Sequence, residues 1–154
     1  MAKINKESNF IQNLNKQLVR KDPNLNLSYE RMGDAGIAFV CRSKDLSHVR
    51  RLDLSWNEIS DMGLKELAAC KTLINVTHLI LNSNDIGDDG VEGLSSSDFL
   101  PKLKALDLAF NRITQFGAMS LVKSPKLRNL YLLDLEMNNV GKKLSNKFPD
   151  GTAI

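Results

Sequence analysis

Leucines come in pairs along this chain: Leu25 and Leu27, Leu52 and Leu54, Leu79 and Leu81, Leu106 and Leu108, Leu133 and Leu135. Each pair follows the last by 27 residues, and other columns keep the same register. Leu46, Leu73, Leu100 and Leu127 form one, with Val19 a period earlier; Val49, Val76, Leu103 and Leu130 form another. Met32, Ile59, Ile86, Ile113 and Val140 make a third apolar column. Gly36, Gly63, Gly90 and Gly117 share one position of the period, and Asn57, Asn84, Asn111 and Asn138 share another. So many columns in one register make the period a property of the fold.

Within one unit, Leu52-Asp53-Leu54 alternates apolar and polar, which predicts a short strand with both leucines inward. Leu64, Leu67 and Ala68 then fall at helical spacing, and Ser60 or Asp61 stands where a helix N-cap belongs. Each unit is thus a strand, a turn and a short helix. A lone unit cannot bury its apolar edge, but stacked units share a continuous core. Strands in such a stack lie about 4.8 Å apart. Helices are wider, so the stack must curve with its strands on the concave side. A buried asparagine can donate and accept together, and so can satisfy backbone groups where the chain turns out of a strand. On that reading, Asn84→Leu costs about 1–3 kcal/mol. The glycines mark either close backbone packing or a left-handed conformation at the helix start.

The unit running from Val49 to Leu67, with Leu52, Leu54, Asn57, Ile59 and Gly63 in place, resembles the leucine-rich-repeat family. Its glycine column and helical second half are similar to the ribonuclease-inhibitor-like, cysteine-containing and GALA-type subclasses. The resemblance covers roughly residues 19–140. It implies an α/β solenoid, a horseshoe of about five 27-residue repeats with parallel strands inside and helices outside. As to function it implies only protein–protein recognition, because a fold does not fix a function.

The ends depart from the pattern. Glu30 stands where asparagine is expected in the first unit, and Asp22 where an apolar residue is expected. Leu144 replaces the glycine of the last unit, whose helix should be lost, with Phe148 available to close the end. Phe10, Ile11, Leu14 and Leu18 form an amphipathic pattern, and Phe10 and Leu14 keep register with Ile37 and Cys41. Residues 8–20 therefore read as a helical cap. The chain divides into a cap (1–21), repeats (22–140) and a C-terminal tail (141–154), all one domain.

Side chains alternating with the inward leucines should line the concave face. The position before each asparagine holds Tyr29, Trp56, Ser83, Phe110 and Met137. The strands contribute Arg51, Asp53, His78, Asp107 and Asp134, and Glu136 follows the last one. Four acids against Arg51 alone make this face acidic. Aromatics flanked by charge have the composition of binding hot spots. The same aromatics could instead support sheet packing, and the aspartates could serve solubility. The candidate protein-binding residues are Tyr29, Arg51, Asp53, Trp56, His78, Asp107, Phe110, Asp134 and Glu136, with Trp56 foremost. A basic or amphipathic protein segment is the partner such a face suits.

Composition narrows the alternatives. Among 154 residues, 21 lysines and arginines nearly balance 18 acids, for a net charge of +3. That gives no strong pull toward nucleic acid or membrane, and neither is expected as a partner. His78, expected near Asp53 and Asp107, could act as a general base, but no nucleophile or oxyanion donors accompany it, so no catalysis is expected. Cys41 and Cys70 are too few for a disulfide framework or zinc site and read as small buried hydrophobes; no metal or cofactor is expected. A monomer is expected. No signal-peptide pattern follows the N-terminus, so a cytoplasmic location is expected, and the sequons at Asn26 and Asn75 read as chance. An alternative use of the same fold is a bacterial effector exported into a host cell by a specialised secretion system. It would capture a host protein there, for example as a ubiquitin-ligase substrate adaptor, with residues 146–154 as an export tail.

Overall fold

A computed structural model describes residues 2–43, 46–141 and 152–153, with side chains over 10–43 and 46–141. Helix α1 (Ala2–Arg20) precedes alternating strands and helices. These are β1 (Asn24–Asn26), α2 (Gly33–Arg42), β2 (Arg51–Asp53), α3 (Asp61–Ala68), β3 (His78–Ile80), α4 (Asp88–Ser95), β4 (Ala105–Asp107), α5 (Gln115–Lys123) and β5 (Leu132–Asp134). Short 3-10 turns at Lys71–Leu73 and Pro125–Leu127 lead back toward the strands. The strands form one parallel sheet in chain order, and Leu25, Leu52, Leu79, Leu106 and Leu133 pair across it without a slip. Helices α2 to α5 pack in succession behind it. The chain is a leucine-rich-repeat solenoid with strands inside and helices outside.

The leucine pairs form a single spine, buried in every unit from Leu25 to Leu135. Phe10 and Leu14 of α1 join it, and Phe10 meets Phe39 edge-on at 6.0 Å between ring centroids. The helix begins at Ala2, well before its apolar pattern. Val19, placed above in a core column, is 83% exposed. It lies in the last turn of α1, where helical geometry turns Leu18, and not Val19, toward the core. Gln17 occupies the otherwise open edge of β1. Its carboxamide donates to the Asn26 carbonyl and accepts from the Asn26 N–H at 2.9 Å, standing in for a missing strand.

The asparagines act as rungs between repeats. Asn57 Nδ2 donates to the Leu27 carbonyl at 2.7 Å, and its Oδ1 accepts from the Glu30 N–H at 3.0 Å. Asn84 does the same one unit later, accepting from the N–H groups of Asn57 and Ile59 and donating to the carbonyl of Leu54. Asn111 and Asn138 repeat the pattern. Glu30 has no earlier repeat to reach, and accepts instead from Asn13 of the cap helix. The substitution at the first unit thus matches what lies beneath it.

A second ladder runs along the helix starts. Asp34 accepts from the Ser60 N–H (2.8 Å) and hydroxyl (2.6 Å), and Asp88 does so for Thr114 at the same distances. Asp61 accepts from the N–H groups of Gly87 and Gly90. Each carboxylate satisfies the exposed donors opening the next repeat's helix, where negative charge is favoured. Ser60 is the N-cap of its own helix, accepting from Met62 N–H at 3.2 Å. At three of its four positions the glycine column follows from these aspartates, and at Gly36 from Met32, whose Cβ would lie 2.3 Å from an added Cβ. A Cβ on Gly63 would stand 2.3 Å from Asp34 Oδ1, on Gly90 2.6 Å from Asp61 Oδ1, and on Gly117 2.5 Å from Asp88 Oδ1. Close packing is the reason for the column. None of its four members has a positive φ, so the left-handed alternative does not apply.

Thr152–Ala153 (β6) pairs parallel with β5, opposing Leu133 and Asp134. Leu144 and Phe148, and most of the tail, lie outside the described residues.

Candidate binding face

Four rows of side chains leave the strand side. The ridge, one residue before each asparagine, is the most exposed: Tyr29 67%, Trp56 51%, Phe110 55% and Met137 67%. All five ridge positions, Ser83 included, have φ between 55° and 62°. Here the chain swings out of the strand, and the ridge N–H donates to a carbonyl of the next repeat, as Trp56 does to Asn82 at 3.1 Å. This left-handed conformation suits glycine or asparagine and costs about 1 kcal/mol for a residue with a bulky side chain. Tyr29 and Trp56 lie face to face, with centroids 5.4 Å apart and planes 10° from parallel. They wall a groove of about 550 Å³ that runs over Ser83 and reaches Glu58 and Asp85. Each of those acids is ion-paired, Glu58 with Arg31 at 2.8 Å and Asp85 with Arg112 at 2.6 Å.

The acidic row is built into the turns. Asp53, Asp107 and Asp134 each use Oδ1 to accept the N–H two residues on, at 2.9–3.0 Å, as Asn26 does in the first unit. Asp107 also accepts from Asn82 Nδ2 at 2.9 Å, so both its oxygens are engaged. These are Asx turns, the local bond that lets a short polar side chain end a strand. The donors are neutral, so the bonds leave the negative charge in place on the face. Arg51 and Glu136 are exposed. Ser55, Ala105 and Ala109, on the same rows, are buried, which makes parts of the strand surface a floor and not a contact surface.

His78 does not sit between the aspartates. The register sets it beside Arg51 and Ala105, while Asp53 and Asp107 flank Ile80, one step further along the strand. Its Nδ1 is 2.9 Å from the Thr77 hydroxyl. The two rows share the concave face, since alternate residues along a strand point the same way, but they are two residues apart along it. The nine candidates thus fall into groups: Tyr29, Trp56 and Phe110 on the ridge; Asp53, Asp107 and Asp134 in the Asx row; Arg51 and His78 together at the strand starts; and Glu136 alone on the row between. Reasoning from sequence missed the left-handed ridge backbone and the Asx turns, although Asn26, Asp53, Asp107 and Asp134, recurring at the strand ends, carried the second signal.

Three consecutive segments, residues 45–68, 72–95 and 99–122, match the family model described as Leucine Rich repeat. The chain belongs to the leucine-rich-repeat family. Leucine-rich repeats are generally protein–protein interaction modules, and theirs is typically a non-catalytic fold. No match to a curated protein was found. The matched segments of this leucine-rich-repeat protein contain Trp56 and Phe110 of the ridge, and Tyr29 and Met137 lie outside them.

Proposed function

We propose that the protein binds another protein through its concave face, without chemistry of its own, and that the ridge Tyr29, Trp56, Phe110 and Met137 is the principal contact. One observation carries this reading. Four large apolar side chains stand more than half exposed at positions whose backbone disfavours them. Folding gains little from an exposed ring and loses by its strained turn, so these residues are better accounted for by what they touch outside the chain. The acidic row behind the ridge favours a basic or amphipathic segment, since Asp53, Asp107, Asp134 and Glu136 face Arg51 alone.

The test leaves the turns intact. Asp107 supports two neighbours, so substituting it would disturb the fold along with the face. Asparagine tolerates the left-handed region, so Trp56→Asn with Phe110→Asn removes the rings and keeps the backbone. Affinity capture with quantitative mass spectrometry should yield a partner with the natural chain that is lost with the double variant. A partner captured equally by both would overturn the assignment of the ridge.

A further inference from the structure

We propose that Cys41 and Cys70 form a dithiol that a peroxide converts into a disulfide joining the first two repeats. The repeat itself brings the two together. Ser97 donates its hydroxyl to the Ala68 carbonyl, and Ser124 to that of Ser95, each reaching back 29 residues to the end of the preceding helix. Cys70 is the member of that column one unit earlier, and its Sγ lies 4.0 Å from the carbonyl of Cys41. The other steps pair Ala68 with Ser97 and Ser95 with Ser124. Among the described residues, both positions carry sulfur at this step alone. Cys41 Sγ points back across the same gap, 4.0 Å from the Glu66 carbonyl. Cys70 is 4% exposed, while Cys41 is half-buried and gives a small oxidant its approach.

The chemistry of the pair suits the step. The Cys41 thiol beside it holds the Cys70 thiol down at about 6 against the opposing effect of burial, with Thr72 and the Leu73 N–H also favouring the thiolate. Cys70 in turn, with burial and the charge of Glu66, pushes the Cys41 thiol up. Thiolate attack on hydrogen peroxide breaks the O–O bond and gives a sulfenic acid and hydroxide, which takes a proton to become water. The second sulfur then attacks the sulfenic sulfur; the S–O bond breaks, a second water leaves, and the S–S bond forms. Two thiols lose two electrons and two protons, and one peroxide becomes two waters.

The test uses the full reduced chain and equimolar hydrogen peroxide. Intact mass should fall by two hydrogens, tryptic digestion should yield one linked peptide pair containing Cys41 and Cys70, and dithiothreitol should reverse both. Cys70→Ser restores the residue used at Ser97 and Ser124, and Cys41→Ala copies Ala68, so both variants should fold. Neither should form the link, and Cys41→Ala, which takes away the group that acidifies Cys70, should also slow oxidation of the remaining thiol. Thiols that stay reduced, that proceed singly to sulfinic acid, or that link only between chains would overturn the proposal.

Discussion

Asn57 and Trp56 are neighbours in sequence and opposites in what they do. The asparagine is wholly buried and bonds to the repeat before it; the tryptophan is half exposed and stacks on the ring of Tyr29. From Asn57 to Asn138 the first column never varies, because each amide must both donate and accept across a fixed repeat spacing. The second runs Tyr, Trp, Ser, Phe, Met at one backbone conformation that none of the large residues favours. Adjacent positions of one turn thus separate what holds the solenoid from what it presents.

The comparison breaks most visibly on the buried side. Asn84→Leu strands the N–H groups of Asn57 and Ile59 and the carbonyl of Leu54, and should cost about 3 kcal/mol in urea unfolding. An unchanged midpoint would remove the ladder from the account. Gly63→Ala comes next. Its new Cβ would collide with Asp34 Oδ1, 2.3 Å away, and displacing that carboxylate also takes its bonds from the Ser60 N–H and hydroxyl. A loss of about 1–3 kcal/mol in the same assay is expected. Gln17→Ala should cost less, about 1 kcal/mol, since it frees an N–H and a carbonyl that water can still reach at the β1 edge. Hydrogen exchange at Asn26 should rise in that variant while exchange in the later strands stays unchanged.

The repeats, the strand and helix of each unit, and the asparagine rungs were legible in sequence because one residue type recurs wherever one geometry recurs. The N-terminal cap was legible in part. Phe10 and Leu14 pack as their register implies, whereas Val19 kept the period and still faces solvent, because a helix and a 3-10 turn orient one position differently. The candidate face was harder. Its outward rows follow from alternation, but periodicity says nothing about φ, so the strained ridge was invisible. Nor does it distinguish an aspartate that closes a turn from one that awaits a partner: Asp107 reads the same until Asn82 and the Ala109 N–H are seen on it. His78 was drawn toward the aspartates because they share a face, where the register sets it beside Arg51 and Ala105, two residues along the strand from Asp53 and Asp107.

The smallest effect on stability is the one that matters most. In the double variant Trp56→Asn with Phe110→Asn, two left-handed turns receive a residue that tolerates them, so the urea midpoint should hold or rise by the equivalent of about 0.5–1 kcal/mol. Calorimetric titration of the same variant with the captured partner should show affinity reduced at least about tenfold, the effect of losing a contact worth 1.4 kcal/mol or more. A fall in stability, or affinity equal to that of the natural chain, would mean that the ridge serves the fold and not the partner.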